Sequence, residues 1–194
     1  MKHTFLKPVF TALFAAFISI GCFIAIPVGP GGIPIVLQNM LAVLAACILG
    51  GAQGTAAVVL FVIAGALGIP VFSGGRGGLA VLTGPTGGFI FGYIAAAIGA
   101  GCIAGKPSVR ETGFPVQNTL RLAVAASAGF VLIYVPGVLY FMQLTGKPFG
   151  SVLAACVIPF VPGDLIKLVL TVPLAVKLRP VAARYLYPVD PDAA

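Results

Sequence analysis

TLRLAVAASAGFVLIYVPGVLYFM, Thr119 to Met142, carries one charge, Arg121, at its start and then runs apolar to its end. A helical membrane span needs roughly 20 mostly apolar residues, about 30 Å of rise. This run meets that length, and a helix that is apolar all round belongs in a protein core or in lipid. The rest of the 194-residue chain has the same character: 60% of its residues are hydrophobic and 8% are charged, where soluble domains carry about 25% charge. Mean hydropathy is +1.15. These figures exclude a cytosolic globular enzyme, a disordered chain and a disulfide-rich secreted domain, and they predict an all-α membrane protein.

Working outward, the apolar runs predict six spans within one integral membrane domain covering residues 1–194, with short tails. The first covers Val9–Val28. It is too long for an ordinary signal-peptide core and lacks a small-residue cleavage site. GPGGIP, Gly29–Pro34, is a turn. The second span covers Ile35–Leu49, Gly50–Gly54 is a tight reversal, and the third span covers Thr55–Ile69. The stretch Pro70–Gly88 is too glycine-rich for a stable helix, and such backbone is tolerated at membrane depth only against protein or a wet cavity. The fourth span covers Gly88–Ile103, a polar loop follows over Gly105–Asn118, and the opening run, kinked at Pro136, is the fifth. The last region, Phe149–Leu178, is broken by Pro159 and Pro162 and predicts a half-helix followed by a longer helix starting near Gly163. Gly84, Gly88 and Gly92, four residues apart, are read as ordinary small-residue packing.

Charge sets the orientation. With both termini in the cytoplasm, Lys2, Lys7, Lys106, Arg110, Arg121, Lys177, Arg179 and Arg184 fall on the inner side, and only Arg76 and Lys147 on the outer. This positive-inside asymmetry supports an even number of spans in the cytoplasmic membrane. It also places the Gly29–Pro34 turn, the Pro70–Gly88 stretch and the broken start of the last span outside. The net charge of +7 gathers at the ends of apolar runs, where headgroup contacts belong, so no nucleic acid is expected as a partner.

Few residues are left to carry chemistry. His3 is the only histidine and lies in the tail, which excludes a histidine-ligated metal site and a serine–histidine protease. Cys22, Cys47, Cys102 and Cys156 lie in separate apolar runs as small packing residues. No phosphate-binding loop is present, so any nucleotide-driven motor must come from elsewhere. No cofactor, no metal and no catalytic residue is expected. Among the acidic residues, Glu111 falls in a loop and Asp190 and Asp192 in the tail. Asp164 alone lies in an apolar region, with Lys167 three residues later in FVPGDLIKLVL. Residues three apart share a helix face, and charge in a bilayer costs about 3 kcal/mol on insertion scales. The pair is therefore a polar ligand site, an internal ion pair locking the bundle, or a proton relay, for which a single acidic residue is a poor start. Gln38 and Asn39, at the start of the second span, suit an uncharged polar ligand and equally suit capping or inter-helix bonding. Arg76 either meets an anionic ligand group or faces water. Thr86 either caps the fourth span or binds ligand.

Three stretches together resemble one family. IPIVLQN (Ile33–Asn39), GIPVFSGGRGGLAVLTGPTGGFIFGY (Gly68–Tyr93) and PFVPGDLIKLVL (Pro159–Leu170) are similar to the BioY type of biotin-specific substrate-capture (S) component of energy-coupling-factor transporters. The resemblance covers nearly the whole chain. It implies six membrane helices, biotin bound near the outer face, and a loop between spans three and four covering the site. Carried over by position, Asp164 and Lys167 are the main polar ligand contacts. Arg76 holds the variable position of GG-x-GG, where relatives place an amide. Ala12 and Ala16 match the small-residue face of the first helix that docks on a transmembrane coupling subunit, itself bound to two ATPase subunits. Membrane lipid is the remaining expected partner. The alternatives are the same architecture serving another small vitamin, and a non-transporting membrane protein in which Asp164–Lys167 is a packing pair.

Overall fold

The computed structural model describes residues 6–27, 34–111 and 115–187. Lys2, His3, the Gly29–Ile33 part of the predicted turn, residues 112–114 of the polar loop, Asp190 and Asp192 lie outside the described residues. The protein is mostly helical. In chain order the elements are α1 (Leu6–Ile20), a short 3-10 turn (Gly21–Phe23), β1 (Ala25–Pro27), β2 (Pro34–Val36), α2 (Gln38–Leu49), α3 (Gly51–Ala66), a single turn α4 (Leu79–Leu82), α5 (Gly87–Ala104), α6 (Val116–Thr145), α7 (Phe149–Cys156) and α8 (Val161–Leu186).

By length and composition three segments can cross a membrane: Leu6–Phe23, Gly87–Ala104 and Val116–Thr145. A fourth is the pair α7 and α8, joined across a break with a 56° bend. The remaining apolar helices, α2 and α3, are shorter than a full span. Two expected boundaries move for the same reason. The predicted first span reaches Val28 and the second begins at Ile35, yet β1 and β2 occupy those ends as an antiparallel ladder pairing Ala25 with Val36. Strand pairing satisfies the backbone there instead of helix.

The reversal expected over Gly50–Gly54 is confined to Gly50. Its φ of 82° ends α2, and α3 starts at the next residue. Only glycine adopts this left-handed backbone without strain. α8 begins at Val161 rather than near Gly163, with Pro162 in its first turn, where a missing N–H has no helical partner to lose. α6 runs unbroken through Pro136.

α2 is the centre of the bundle. Met40 and every residue from Ala42 to Leu49 are buried, and α2 packs against α1, α3, α5, α6 and α8. A helix enclosed by neighbours need not match the bilayer by itself. Exposed apolar side chains lie on α1 (Val9, Leu13, Phe17), α3 (Leu60, Ile63), α5 (Phe91, Ile98), α6 (Val124, Val131, Val135) and α8 (Leu165, Ile166, Val169). α5 and α6 form the most extensive pair. Here Gly88 and Gly92 of the Gly84–Gly88–Gly92 line do the small-residue packing expected of them, while Gly84 precedes α5. A Cβ built on Gly88 would lie 2.5 Å from Tyr140 Cβ and 2.7 Å from the Pro136 carbonyl, and one on Gly92 would lie 2.5 Å from the Ile133 carbonyl. Small residues let the two backbones approach this closely.

The glycine-rich stretch is ordered. Phe72 and Arg76 exchange backbone hydrogen bonds of 2.8 and 3.1 Å, closing a turn over Ser73, Gly74 and Gly75. The buried Phe72 ring stacks edge-on to Phe61 at 5.5 Å and rests on Gly65. The turn is thereby fastened to α3.

Arg179, counted in sequence with the inner-side charges after the last apolar run, lies within α8 and is only 1% exposed. Its guanidinium donates to the carbonyls of Cys47 at the end of α2 and of Ala104 and Gly105 at the end of α5, and to Glu111 at 2.6 Å. Glu111 in turn pairs with Arg121 of α6. Helix C-termini expose unpaired carbonyls and negative dipole ends, and Arg179 answers both for two helices at once.

Candidate functional site

Asp164 and Lys167 sit in the first two turns of α8, each 8% exposed. They are paired at 3.0 Å. Lys167 Nζ also donates to Asn39 Oδ1 at 2.9 Å and to the Val36 carbonyl at 2.8 Å, so its three N–H donors have three acceptors. Val36 ends β2, and the hairpin thus delivers a backbone carbonyl to the ammonium. Asp164 Oδ1 accepts the Asn39 amide at 2.9 Å, and Oδ2 accepts the Tyr134 hydroxyl from α6. Four groups from three helices, with one hairpin carbonyl, form one network in which every Lys167 donor is taken. Thr171, one turn further on, returns its hydroxyl to the Lys167 carbonyl at 2.7 Å.

Beside this network lies a narrow cleft of about 40 Å³ lined by Val36, Asn39, Phe89, Tyr93, Tyr134 and Phe160, among others. That is well below the roughly 300–1,000 Å³ of small-ligand sites, so a ligand enters it only as the lining side chains move apart. Its walls are chiefly aromatic and aliphatic, with an amide and two phenol hydroxyls as polar groups. Asn39 and Tyr134 line it; Asp164 and Lys167 stand behind them. A second, smaller pocket of about 30 Å³ shares Val36, Phe89 and Tyr93 and adds Gln38, Ser73, Thr86 and Ile90. A third depression shares Thr86 and is walled by Arg76, Val81 and Pro85.

The sequence-predicted residues divide accordingly. Asn39 joins Asp164 and Lys167 and touches the cleft. Gln38 donates to the carbonyls of Ile18 (3.3 Å) and Val71 (2.7 Å), so it bonds across elements while its side chain edges the second pocket. Thr86 makes no side-chain cap to α5 and borders both the second pocket and the third depression. Arg76 is exposed, with Nε donating to the Ser73 carbonyl at 3.1 Å. Ala12 and Ala16 are far from these groups in the fold, exposed on the outer face of α1. Tyr134, Tyr93, Phe89 and Ser73 were not singled out by sequence. The one available signal was a phenol hydroxyl in the middle of the longest apolar run, Tyr134, which needs a buried partner.

The sequence model of the BioY family matches residues 2–184. The biotin transporter BioY of Thermotoga maritima is 36% identical over 167 residues, covering 86% of this chain and 92% of that protein. That of Rhodobacter capsulatus is 37% identical over 175 residues, covering 82% and 85%. The solved S-component for biotin from an ECF-type ABC transporter superposes with a TM-score of 0.80 at 29% identity, covering 91% of this chain and 92% of that one. With a family model matched over nearly its whole length and relatives more than a third identical along most of theirs, the chain belongs to the BioY family.

Proposed function

We propose that this protein captures biotin at the outer face of the cytoplasmic membrane for uptake powered by a partner energy-coupling module. The relatives named as biotin transporters and the biotin S-component fold support the substrate. The observation that carries it is a hydrogen-bonded Asp164–Lys167–Asn39–Tyr134 network bordering an aromatic cleft. Biotin offers ureido N–H donors, a ureido carbonyl, a carboxylate and an apolar bicycle with a tail. The bicycle suits Phe89, Tyr93 and Phe160. The ureido group meets the Asn39 amide and Tyr134 hydroxyl and reaches Asp164 by exchange for one of them. In that exchange one internal hydrogen bond is lost for each ligand bond gained, so specificity rests on the match of donors and acceptors.

In this reading the chain is a single membrane domain of six helices, α2 and α3 each serving as a span inside the bundle. Both termini face the cytoplasm, and the Phe72–Arg76 turn faces outward. Ala12 and Ala16, exposed on α1, form the small-residue face for the transmembrane coupling subunit, which carries two ATPase subunits. The remaining exposed apolar surface meets lipid. No catalytic step and no nucleic acid are involved.

Binding of labelled biotin to the detergent-purified protein tests the reading. Tight binding by the wild type, lost in Asp164→Ala and Lys167→Ala, is expected; variants that keep it overturn the assignment. A second reading has its own observation: Lys167 has no donor left over, as in a purely structural pair. That reading predicts no thermal stabilisation by biotin, thiamine or riboflavin, whereas capture predicts stabilisation by biotin alone.

A further inference from the structure

α6 and α7 do not close on one another along their length. Between them runs a groove of about 290 Å³, in which Val131, Val135 and Leu139, one turn apart on α6, stand with Phe149 and Leu153 of α7. Val131, Val135, Leu139 and Phe149 are each more than half exposed, so the groove opens on the apolar surface of the bundle. It follows α6 from Val131 to Leu139, about 12 Å at 1.5 Å per residue. A groove of this volume and length takes one hydrocarbon chain, but not a second helix, which is about 10–12 Å across with its side chains.

In lipid, apolar surface gains nothing from association as such. Dispersion remains, and a chain lying in a groove is touched on two sides where one on a convex helix face is touched on one. A second copy of the protein would be held by small residues or by polar groups bonding across helices. The groove is lined instead by valines, leucines, Phe149 and Tyr134, whose hydroxyl is spent on Asp164. Charge stands at the mouth. Lys147, in the loop between α6 and α7 and two residues before Phe149, is exposed and makes no ion pair among the described residues. It follows directly on the 30-residue α6, which is longer than the roughly 20 residues a span needs, and this sets its ammonium at headgroup level.

We propose that the α6–α7 groove binds one anionic phospholipid, with an acyl chain along Val131–Leu139 and the headgroup on Lys147. Lipid on the convex faces of the bundle exchanges without regard to charge, whereas here a single molecule is selected by charge and retained. Tyr134 lines both this groove and the cleft beside Asp164, so the chain braces, from the lipid side, the ring whose hydroxyl holds Asp164. The site needs no vitamin, and its test is independent of capture.

Native mass spectrometry of the detergent-purified protein, titrated with dioleoylphosphatidylglycerol or dioleoylphosphatidylcholine, tests it in the wild type, Lys147→Gln, Val135→Trp and Val124→Trp. The wild type is expected to retain one phosphatidylglycerol and to bind it about fivefold more tightly than phosphatidylcholine, the preference one lysine near the surface gives. Lys147→Gln is expected to bind the two lipids equally. Val135→Trp, which fills the groove from an exposed position, is expected to lose the retained lipid, and Val124→Trp, exposed on α6 outside the groove, to keep it. Lys147→Gln lies in an exposed loop and reads the charge preference even if Val135→Trp does not fold. Equal binding of the two lipids by the wild type, or retention of phosphatidylglycerol by folded Val135→Trp, overturns the assignment. A dimer that Val135→Trp dissociates gives the groove to a second copy and overturns it as well.

Discussion

At the scale of single residues, the buried ion pair is a network whose members depend on one another. Removing one partner of a buried pair leaves an uncompensated charge and costs about 3–5 kcal/mol, while replacing both with apolar groups is often close to neutral. Lys167→Met alone is therefore expected to lower the ligand-free melting temperature strongly. Asp164→Leu combined with Lys167→Met is expected to recover much of that loss while abolishing vitamin binding. Thermal unfolding in detergent checks the first, and a binding titration on the same samples the second. A double variant as unstable as the single one would mean that Tyr134 and Asn39, left without partners, dominate the cost. Asp164 and Lys167 were legible in sequence because charge in an apolar run has few explanations. Tyr134 and Ser73 were not, because tyrosine and serine are common in membrane helices and glycine-rich turns, and only the fold shows which hydroxyl lacks a partner or faces a cleft.

At the scale of elements, the α5–α6 seam depends on glycines at two successive turns. The gap at Gly88 is bounded by backbone atoms of Pro136 and Gly137 as well as Tyr140 Cβ, none of which moves without the helix. Overpacking costs typically about 1–3 kcal/mol, so Gly88→Leu is expected to exceed that range or prevent folding, and Gly88→Ala to fall within it. Differential scanning fluorimetry of the Ala variant gives the magnitude, and unchanged melting would show that α5 and α6 separate freely. α5 also carries Phe89 and Tyr93, so the Ala variant is expected to weaken ligand binding as well. The helices, α2 among them, were readable from hydropathy because each is a long apolar run. The β1–β2 hairpin was not, since a three-residue strand pair leaves no hydropathy signature of its own.

At the scale of the whole molecule, Arg179 gathers α2, α5, α8 and, through Glu111 and Arg121, α6. Lysine has neither the planar fork nor the five donors needed to reach these acceptors together. Arg179→Lys is therefore expected to rescue little of the stability lost in Arg179→Met, which by the buried-charge logic is about 3–5 kcal/mol, and Glu111→Gln is expected to lose less. Chemical unfolding of the three variants orders them, and a Lys variant as stable as the wild type would sink the multidentate account. The sequence reading counts Arg179 with Lys177 and Arg184 as one group of charges at the end of the last apolar run. Which of several basic residues turns inward depends on where the carbonyl ends of α2 and α5 converge, and that is a property of the assembled bundle.

Asp164, Lys167, Thr171, Ala175 and Arg179 all lie on the buried face of α8, spanning about 22 Å at 1.5 Å per residue. A rod pinned on one side at both ends cannot roll about its own axis without slipping one of the pins. Movement at the Asp164 end is thus registered at the far end as strain on the Arg179 bonds.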